Sequence, residues 1–384
     1  MKANKYARPI PVLLTVPHLN RTASPYRELM AIAKLLPREE FRLTVCSLRD
    51  GGWHETKPLL RELGIDCFVA RFRPTGRSLR AIRDSWRDQA LIDRRGPFAI
   101  QHSLDFTSSP FEALMARLQS RVYVYSQRNL NQNGHPVLLR FKTRLAHRVI
   151  AISDSVQRFL YSEGVPKRKV TKVYLGIDPT EMTAERKKGY FLCVGQIAPP
   201  KGHHQAIRAL SQITPQCPEA RLGIAGNVFD PAYLQSLKQL ALELGVQDRV
   251  DFLGPRTDIL QLMAQATALV HCSESEAFGW VIVEAMSVGT PVIASASEGP
   301  SEIIDHGSSG LLVEPGDVKA LADAMQSVMN NPTIAVALSE QGRQAVVRRF
   351  SVSAMVDRIG LLYLDCLNEK PAASPLTSAA SRNL

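Results

Sequence analysis

Apolar runs of four to eight residues recur along the chain, separated by stretches whose apolar positions return every three or four residues. The runs are VLLTV (12–16), RLTVCSL (42–48), VYVYS (122–126), RVIAIS (148–153), FLCVG (191–195), RLGIAG (221–226), RVDFLG (249–254), ALVHC (268–272), PVIAS (291–295) and GLLVE (310–314). Strands apolar on both faces that alternate with helices predict parallel sheets, hence an α/β fold. The alternation stops over PTEMTAERKKGY (179–190), which is polar and lacks an apolar period, and then starts afresh. Two doubly wound, Rossmann-like domains are therefore expected, residues 1–185 and 186–350. A helix at about 351–368 is expected to pack back on the first, and the Pro-, Ser- and Ala-rich stretch 371–384 to be a disordered tail. Ligands of such sheets bind beyond the carboxyl ends of the strands, so the site is expected in a cleft between the domains.

Composition narrows the picture. At 384 residues and 45% hydrophobic content the chain can fill two cores. Six cysteines without C-x-x-C spacing predict reduced thiols in a cytoplasmic protein and no zinc site. Val12–Val16 reads as a buried strand rather than part of a signal peptide, and no apolar stretch reaches the roughly 18 residues of a membrane span. Charge is divided unevenly. Residues 1–188 hold 34 Lys+Arg against 17 Asp+Glu, net +17, while residues 189–384 hold 13 against 19, net −6. The basic half suits an anionic partner: membrane lipid, nucleic acid or a phosphorylated acceptor, with a merely soluble basic surface as the alternative. Arg73, Arg77, Arg80, Arg83 and Arg87 recur at helical spacing, and RFKTRLAHR (140–148) adds a second cluster; both fit either an anionic membrane surface or a solvated face.

Two segments carry candidate chemistry. VGQIAPPKG (194–202) places Gly195 at a strand end and Lys201 six residues later before a helical pattern, the layout of a point charge for phosphate or of an ordinary surface turn. ESEAFGWVIVEAMSVGTPVIAS (274–295) predicts a helix from Gly279 to about Val288, capped by Gly289, with an anion site at the amides around Phe278, Gly279, Trp280 and Val281. Glu284 on that helix sits within apolar sequence, where a carboxylate needs a cationic partner or the vicinal hydroxyls of a ribose.

Together the G-x5-K-G segment, EAFGWVIVE, EAMSVGTPVIAS and EGPSEII with GSSGLLVEPGD resemble the retaining, Leloir-type GT-B glycosyltransferases, which include glycogen synthase-like and phosphatidylinositol mannosyltransferase-like enzymes. The resemblance covers about 144–350 and implies two Rossmann-like domains facing each other across a cleft. It implies that Glu284 holds the donor ribose, that Glu276 faces the donor sugar with amides near Phe278 and Gly279, and that Lys201 meets the diphosphate. It further implies transfer from a UDP- or GDP-sugar to an acceptor hydroxyl, lipid-linked or on a polysaccharide, without metal or cofactor and without nucleic acid as partner. The location it implies is the cytoplasm, with a peripheral place at the inner membrane face as a further expectation.

The chain departs from the family pattern at four places. Leu175 stands where Asn usually precedes Gly-Ile-Asp, and Gln196 replaces the arginine after the strand glycine. HLNRTASPYREL (18–29) replaces a Gly-Gly turn, with Ser24 expected to cap a helix begun at Pro25. Arg128 occupies the place of a common histidine. Arg128 is accordingly expected in the cleft as a replacement cation, or else as a structural arginine, and Asp105 is a further cleft candidate because it follows the apolar, strand-like PFAIQ (97–101). A nucleotide-sugar epimerase and a nucleotide-sugar-binding protein without transfer activity remain as rival readings.

Overall fold

The computed structural model describes residues 9–19, 24–70, 79–104, 110–128, 130, 136–177, 182 and 184–369. Arg73, Arg77, Asp105 and the stretch 371–384 lie outside them, as do the side chains of Ser24, Arg80 and Arg83. All ten apolar runs form strands, and three further strands are present among the described residues. The first sheet contains β1 (Ile10–Val16), β2 (Phe41–Ser47), β3 (Asp66–Val69), β4 (Ile100–Ser103), β5 (Val122–Gln127), β6 (Arg148–Ala151) and β7 (Val170–Lys172). The second contains β8 (Tyr190–Val194), β9 (Arg221–Ala225), β10 (Val250–Gly254), β11 (Ala268–His271), β12 (Val292–Ser295) and β13 (Leu311–Val313).

All pairings are parallel, which the fully apolar strands require because helices cover both faces. The orders are β3-β2-β1-β4-β5-β6-β7 and β10-β9-β8-β11-β12-β13. Each order reverses direction once, between β1 and β4 in the first sheet and between β8 and β11 in the second. Crossovers leave the sheet on opposite faces at such a reversal and open a crevice at the strand ends. Among the described residues, no helix is long and apolar enough to cross a membrane, and all six cysteines are buried free thiols.

By internal contacts the chain divides into two units. The first gathers the described residues up to Ala151, Phe159–Val173 and those from Val356; the second gathers Ile152–Arg158 and Tyr174–Met355. The division falls upstream of the 185/186 boundary expected from sequence, because Tyr174–Ile177 packs on Phe350–Met355. Ile177 N–H donates to the Phe350 carbonyl at 2.7 Å, and a Cβ on Gly176 would lie 2.6 Å from Val352 Cα.

Most of the helix Val352–Glu369 belongs to the first unit. Its Tyr363 is fully buried, meets the Phe41 ring edge-on at 5.8 Å and donates or accepts a 2.7 Å hydrogen bond with His102 Nδ1. His102 Nε2 reaches Ser126 Oγ at 2.8 Å, so both ring nitrogens are satisfied inside the core.

Burial holds the His102 pKa down at about 3, against 6.5 for a free histidine. Because the folded pKa is depressed, the neutral ring's contribution is present above pH 6.5 and is lost as pH falls toward 3. Going from pH 7 to pH 5 should therefore cost about 2 kcal/mol through this side chain alone. Urea unfolding followed by circular dichroism at both pH values should show this loss in the wild type, and His102→Gln should lose less by about that amount.

Candidate functional site

The second unit builds its site at its own sheet reversal, from the loops that follow β8 and β11. After β8 the chain passes Gly195 and Gln196 and forms a 3-10 turn over Pro199–Lys201, which ends at Gly202 with φ 65°. Gly202 is required twice over. Its φ is left-handed, and a Cβ there would fall 2.2 Å from the Cys272 carbonyl oxygen in the loop after β11. Glu274 N–H also donates to the Pro200 carbonyl at 3.2 Å. The two loops are thereby held backbone to backbone, and the helix His203–Ile213 starts directly from the contact.

That contact brings together two of the residues expected from sequence. Lys201 Nζ lies 2.7 Å from Glu276 Oε2, with side chains 29% and 19% exposed. Burial pushes the Glu276 carboxyl up, but Lys201, His271 and a hydrogen bond from Phe278 N–H outweigh it and leave its pKa below the usual value. Glu276 is therefore a carboxylate at neutral pH. Beside Lys201 a cavity of about 460 Å³ opens, walled by Gln196, Pro199, Phe229 and Asp230. Gln196, which replaces the expected arginine, is exposed there.

Downstream, Gly279 (φ 96°) turns the chain into the helix Trp280–Ser287, which no side chain caps. Its N-terminal amides face out of the first turn, where Ile282 N–H donates to the Gly279 carbonyl at 2.9 Å. Phe278 N–H, expected to face a sugar, is engaged by the Glu276 carboxylate. The Phe278 ring is buried against Tyr174 and Phe350. Glu284 is 5% exposed on the same helix, between the buried Val283 and Ala285, while Trp280 and Val281 are half-buried.

Sequence reasoning missed the brace that fixes this loop. Ser153 and Ser155 hydroxyls donate to the Ala277 carbonyl at 2.6 and 2.8 Å, and the Glu302 carboxylate accepts the Asp154 N–H at 2.8 and 2.7 Å. Gly299 N–H donates to the Glu276 carbonyl at 2.8 Å, so closely that a Cβ there would lie 2.5 Å from the Phe278 oxygen. The signal was present as ISDS and EGPSE, but only tertiary contact gives it meaning.

Two histidines were also passed over. His271, the last residue of β11, sits with Nε2 3.8 Å from Glu276 Oε2, and His203 opens the helix beside it. Burial holds both pKa values down at about 4.

In the first unit, Arg128 follows β5 and is buried, 8% exposed, in an ion pair with Glu28 of the helix Ser24–Leu35. Burial lowers its pKa to about 9. Glu28 also accepts a long 3.5 Å bond from Ser126 Oγ. Its only mark in the sequence is one acid on an otherwise apolar helix face.

Both halves of the chain match known families: residues 178–345 match Glycosyl transferases group 1, and residues 27–181 match Glycosyltransferase Family 4. The lipopolysaccharide core biosynthesis mannosyltransferase LpcC of Rhizobium leguminosarum bv. viciae is 30% identical over 62% of this chain and 70% of its own length. The chain belongs to the glycosyl transferases group 1 family. The lipopolysaccharide core biosynthesis glycosyltransferase LpsE of Rhizobium meliloti (strain 1021) is 30% identical over 51% of this chain, which spans little more than half, 55%, of that relative. The crystal structure of Anabaena HepE in complex with UDP superposes with a TM-score of 0.79 at 23% identity, covering 92% of this chain and 99% of that one. This glycosyltransferase-family chain thus has the GT-B fold. The site built on Lys201 and Glu276 lies within the group 1 match.

The Glu28–Arg128 pair gives a test of its structural weight. Glu28→Ala would leave Arg128 buried without its carboxylate and should cost about 3–5 kcal/mol in urea unfolding. Adding Arg128→Met should recover most of that loss. A neutral single substitution would instead mark Arg128 as a cation available for ligand.

Proposed function

We propose that the chain is a retaining glycosyltransferase moving a hexose from a nucleoside-diphosphate sugar to an acceptor hydroxyl of a cell-envelope glycan or its lipid-linked precursor. The observation that carries this reading is the Lys201–Glu276 pair beside an uncapped helix N-terminus at the reversal point of the second sheet. In this reading Lys201 neutralises the leaving diphosphate, and the amides of Gly279, Trp280 and Val281 share that charge. Glu276 accepts from the sugar hydroxyls, and Glu284 accepts from the ribose. Gly195 and Gln196 border the diphosphate, where the amide of Gln196 donates without adding charge. The acceptor oxygen attacks from the face that the diphosphate leaves, through an oxocarbenium-like state, and the protein's part is positioning and charge stabilisation. The acceptor class follows from LpsE and LpcC, both named for lipopolysaccharide core biosynthesis. Asp105 and Arg128 stay as acceptor-side proposals, Arg128 conditional on release from Glu28.

The donor site is tested by calorimetry with UDP and GDP. Glu284→Ala should weaken whichever nucleotide binds by about 1.5–3 kcal/mol, the range for hydrogen bonds to a charged group. Failure of both nucleotides to bind the wild type would remove the reading.

The lipid-linked alternative also asks for a membrane contact, and the first unit offers a better surface than the Arg73–Arg87 stripe, of which only the Arg87 side chain is described. The neighbouring helices Phe111–Leu118 and Pro136–Leu145 expose Leu118, Val137, Leu138 and Phe141 at 66%, 70%, 42% and 46%. Arg117, Arg140 and Arg144 are exposed on the same helices, whose sole acid, Glu112, is buried. Apolar groups within a basic rim suit an anionic bilayer surface. Vesicles of phosphatidylcholine with phosphatidylglycerol should sediment the protein at low salt and release it at high salt, and Val137→Ser with Phe141→Ser should abolish sedimentation. Wild-type protein that stays in the supernatant at low salt would favour a soluble acceptor.

A further inference from the structure

Glu276 cannot keep Lys201 if Lys201 must reach a diphosphate, and a carboxylate this buried is costly without a partner. The second unit holds a replacement in place. His271 Nε2 points at the same Oε2 that Lys201 engages, from 3.8 Å, and makes no hydrogen bond. The ring is 6% exposed at the end of β11, and among the described residues the charged or titratable groups acting on it are Glu276, Lys201 and His203. Lys201 has a flexible four-carbon stem, partial exposure and the 460 Å³ cavity beside it into which to turn.

We propose that His271 is a positioning residue that takes over the Glu276 carboxylate when Lys201 turns to the donor diphosphate. The handover rests on the donor reading given above. With the ammonium gone, His271 loses a repelling neighbour and faces a carboxylate that keeps the Phe278 N–H but has lost its cation. Its imidazole then takes one proton from solvent at the ring nitrogen left bare in the neutral tautomer, and Nε2–H donates to Glu276 over a gap shortened by about 1 Å. Glu276 thereby stays charged and oriented toward the sugar through the exchange. His203, cationic only if protonated, opposes the uptake and limits it to one proton at the pair.

The sign follows from the free-state value. His271 is deprotonated above about pH 4 in the free protein. A higher value in the donor complex means that binding draws in a proton between the two values and tightens as pH falls through that window. A nucleotide sugar is the right probe, because its diphosphate diester lacks the second phosphate ionisation near pH 6 that a terminal phosphate brings.

Two measurements test the handover independently. In the free protein, Lys201→Met mimics the departed ammonium, and the His271 ring, followed by proton–carbon NMR, should titrate clearly above about 4. In calorimetry at pH 5 and pH 6 with UDP-glucose and GDP-mannose, in buffers of different ionisation heat, the sugar nucleotide that binds should carry in protons, more at pH 5 than at pH 6. His271→Asn should carry in none. An unmoved His271 titration in Lys201→Met, or the same uptake in His271→Asn, overturns the proposal. If neither sugar nucleotide binds, the donor reading falls, and the NMR titration still decides whether His271 answers to Lys201. A His271→Asn chain that does not fold leaves the Lys201→Met titration and wild-type uptake to decide.

Discussion

The approach of Gly202 to the Cys272 carbonyl governs the second unit. No side chain fits between the loops after β8 and β11, so the backbones meet directly. Lys201 and Glu276, separated by 75 positions in sequence, consequently arrive within 2.7 Å of each other. The geometry that concentrates charge here is backbone geometry, and the side chains add chemistry to it. The same logic applies at Gly299, where absence of a Cβ lets the loop bearing Glu276 rest on the helix Glu298–Ile303. Sterics thus fix the loop before any ion pair forms, and the pair can open without the loop moving. A ligand-exchangeable salt bridge needs such a scaffold, because its own energy is partly lost to water.

The first unit uses charge differently. Glu112 accepts hydrogen bonds from Thr15, Gln101 and Ser103, while Arg121 reaches Gln101 and Asp93. Lys142, fully buried, lies with Nζ 3.6 Å from the Tyr125 ring centroid. These groups are satisfied inside the protein, and removing one partner strands the other at a desolvation cost. Buried polarity there sets which packing is allowed, whereas near Lys201 it stays open on one side to a cavity.

Fold class and ten of the strands were legible because their runs are predominantly apolar. Of β3, β4 and β7, only β4 was strand-like in sequence, as PFAIQ (97–101). Asp66, Gln101, His102, Thr171 and Lys172 interrupt the apolar character of these three strands, and β6, β11, β12 and β13 are as short but more apolar. The Gly279–Gly289 helix was legible from its bounding glycines. Lys201 and Glu276 could be named from motif spacing, but their pairing could not, since it depends on the loop contact at Gly202. Arg128 was read as a cation from its position alone; the carboxylate that meets it, Glu28, is 100 positions away and bears no local signal. His271 escaped because a histidine at the end of an apolar strand looks like core, and only its distance from Glu276 distinguishes it.

The His102–Tyr363 hydrogen bond joins a strand to a helix that is made 261 residues later. While a ribosome extends the chain, β1 to β7 emerge long before Tyr363 exists to meet His102 and Phe41. The first sheet must wait, with that surface uncovered, until the whole second unit has been translated. The later unit, contiguous from Tyr174 to Met355 apart from one short segment already present, is complete first in the sense that matters for burial. Birth order and completion order are reversed in this chain.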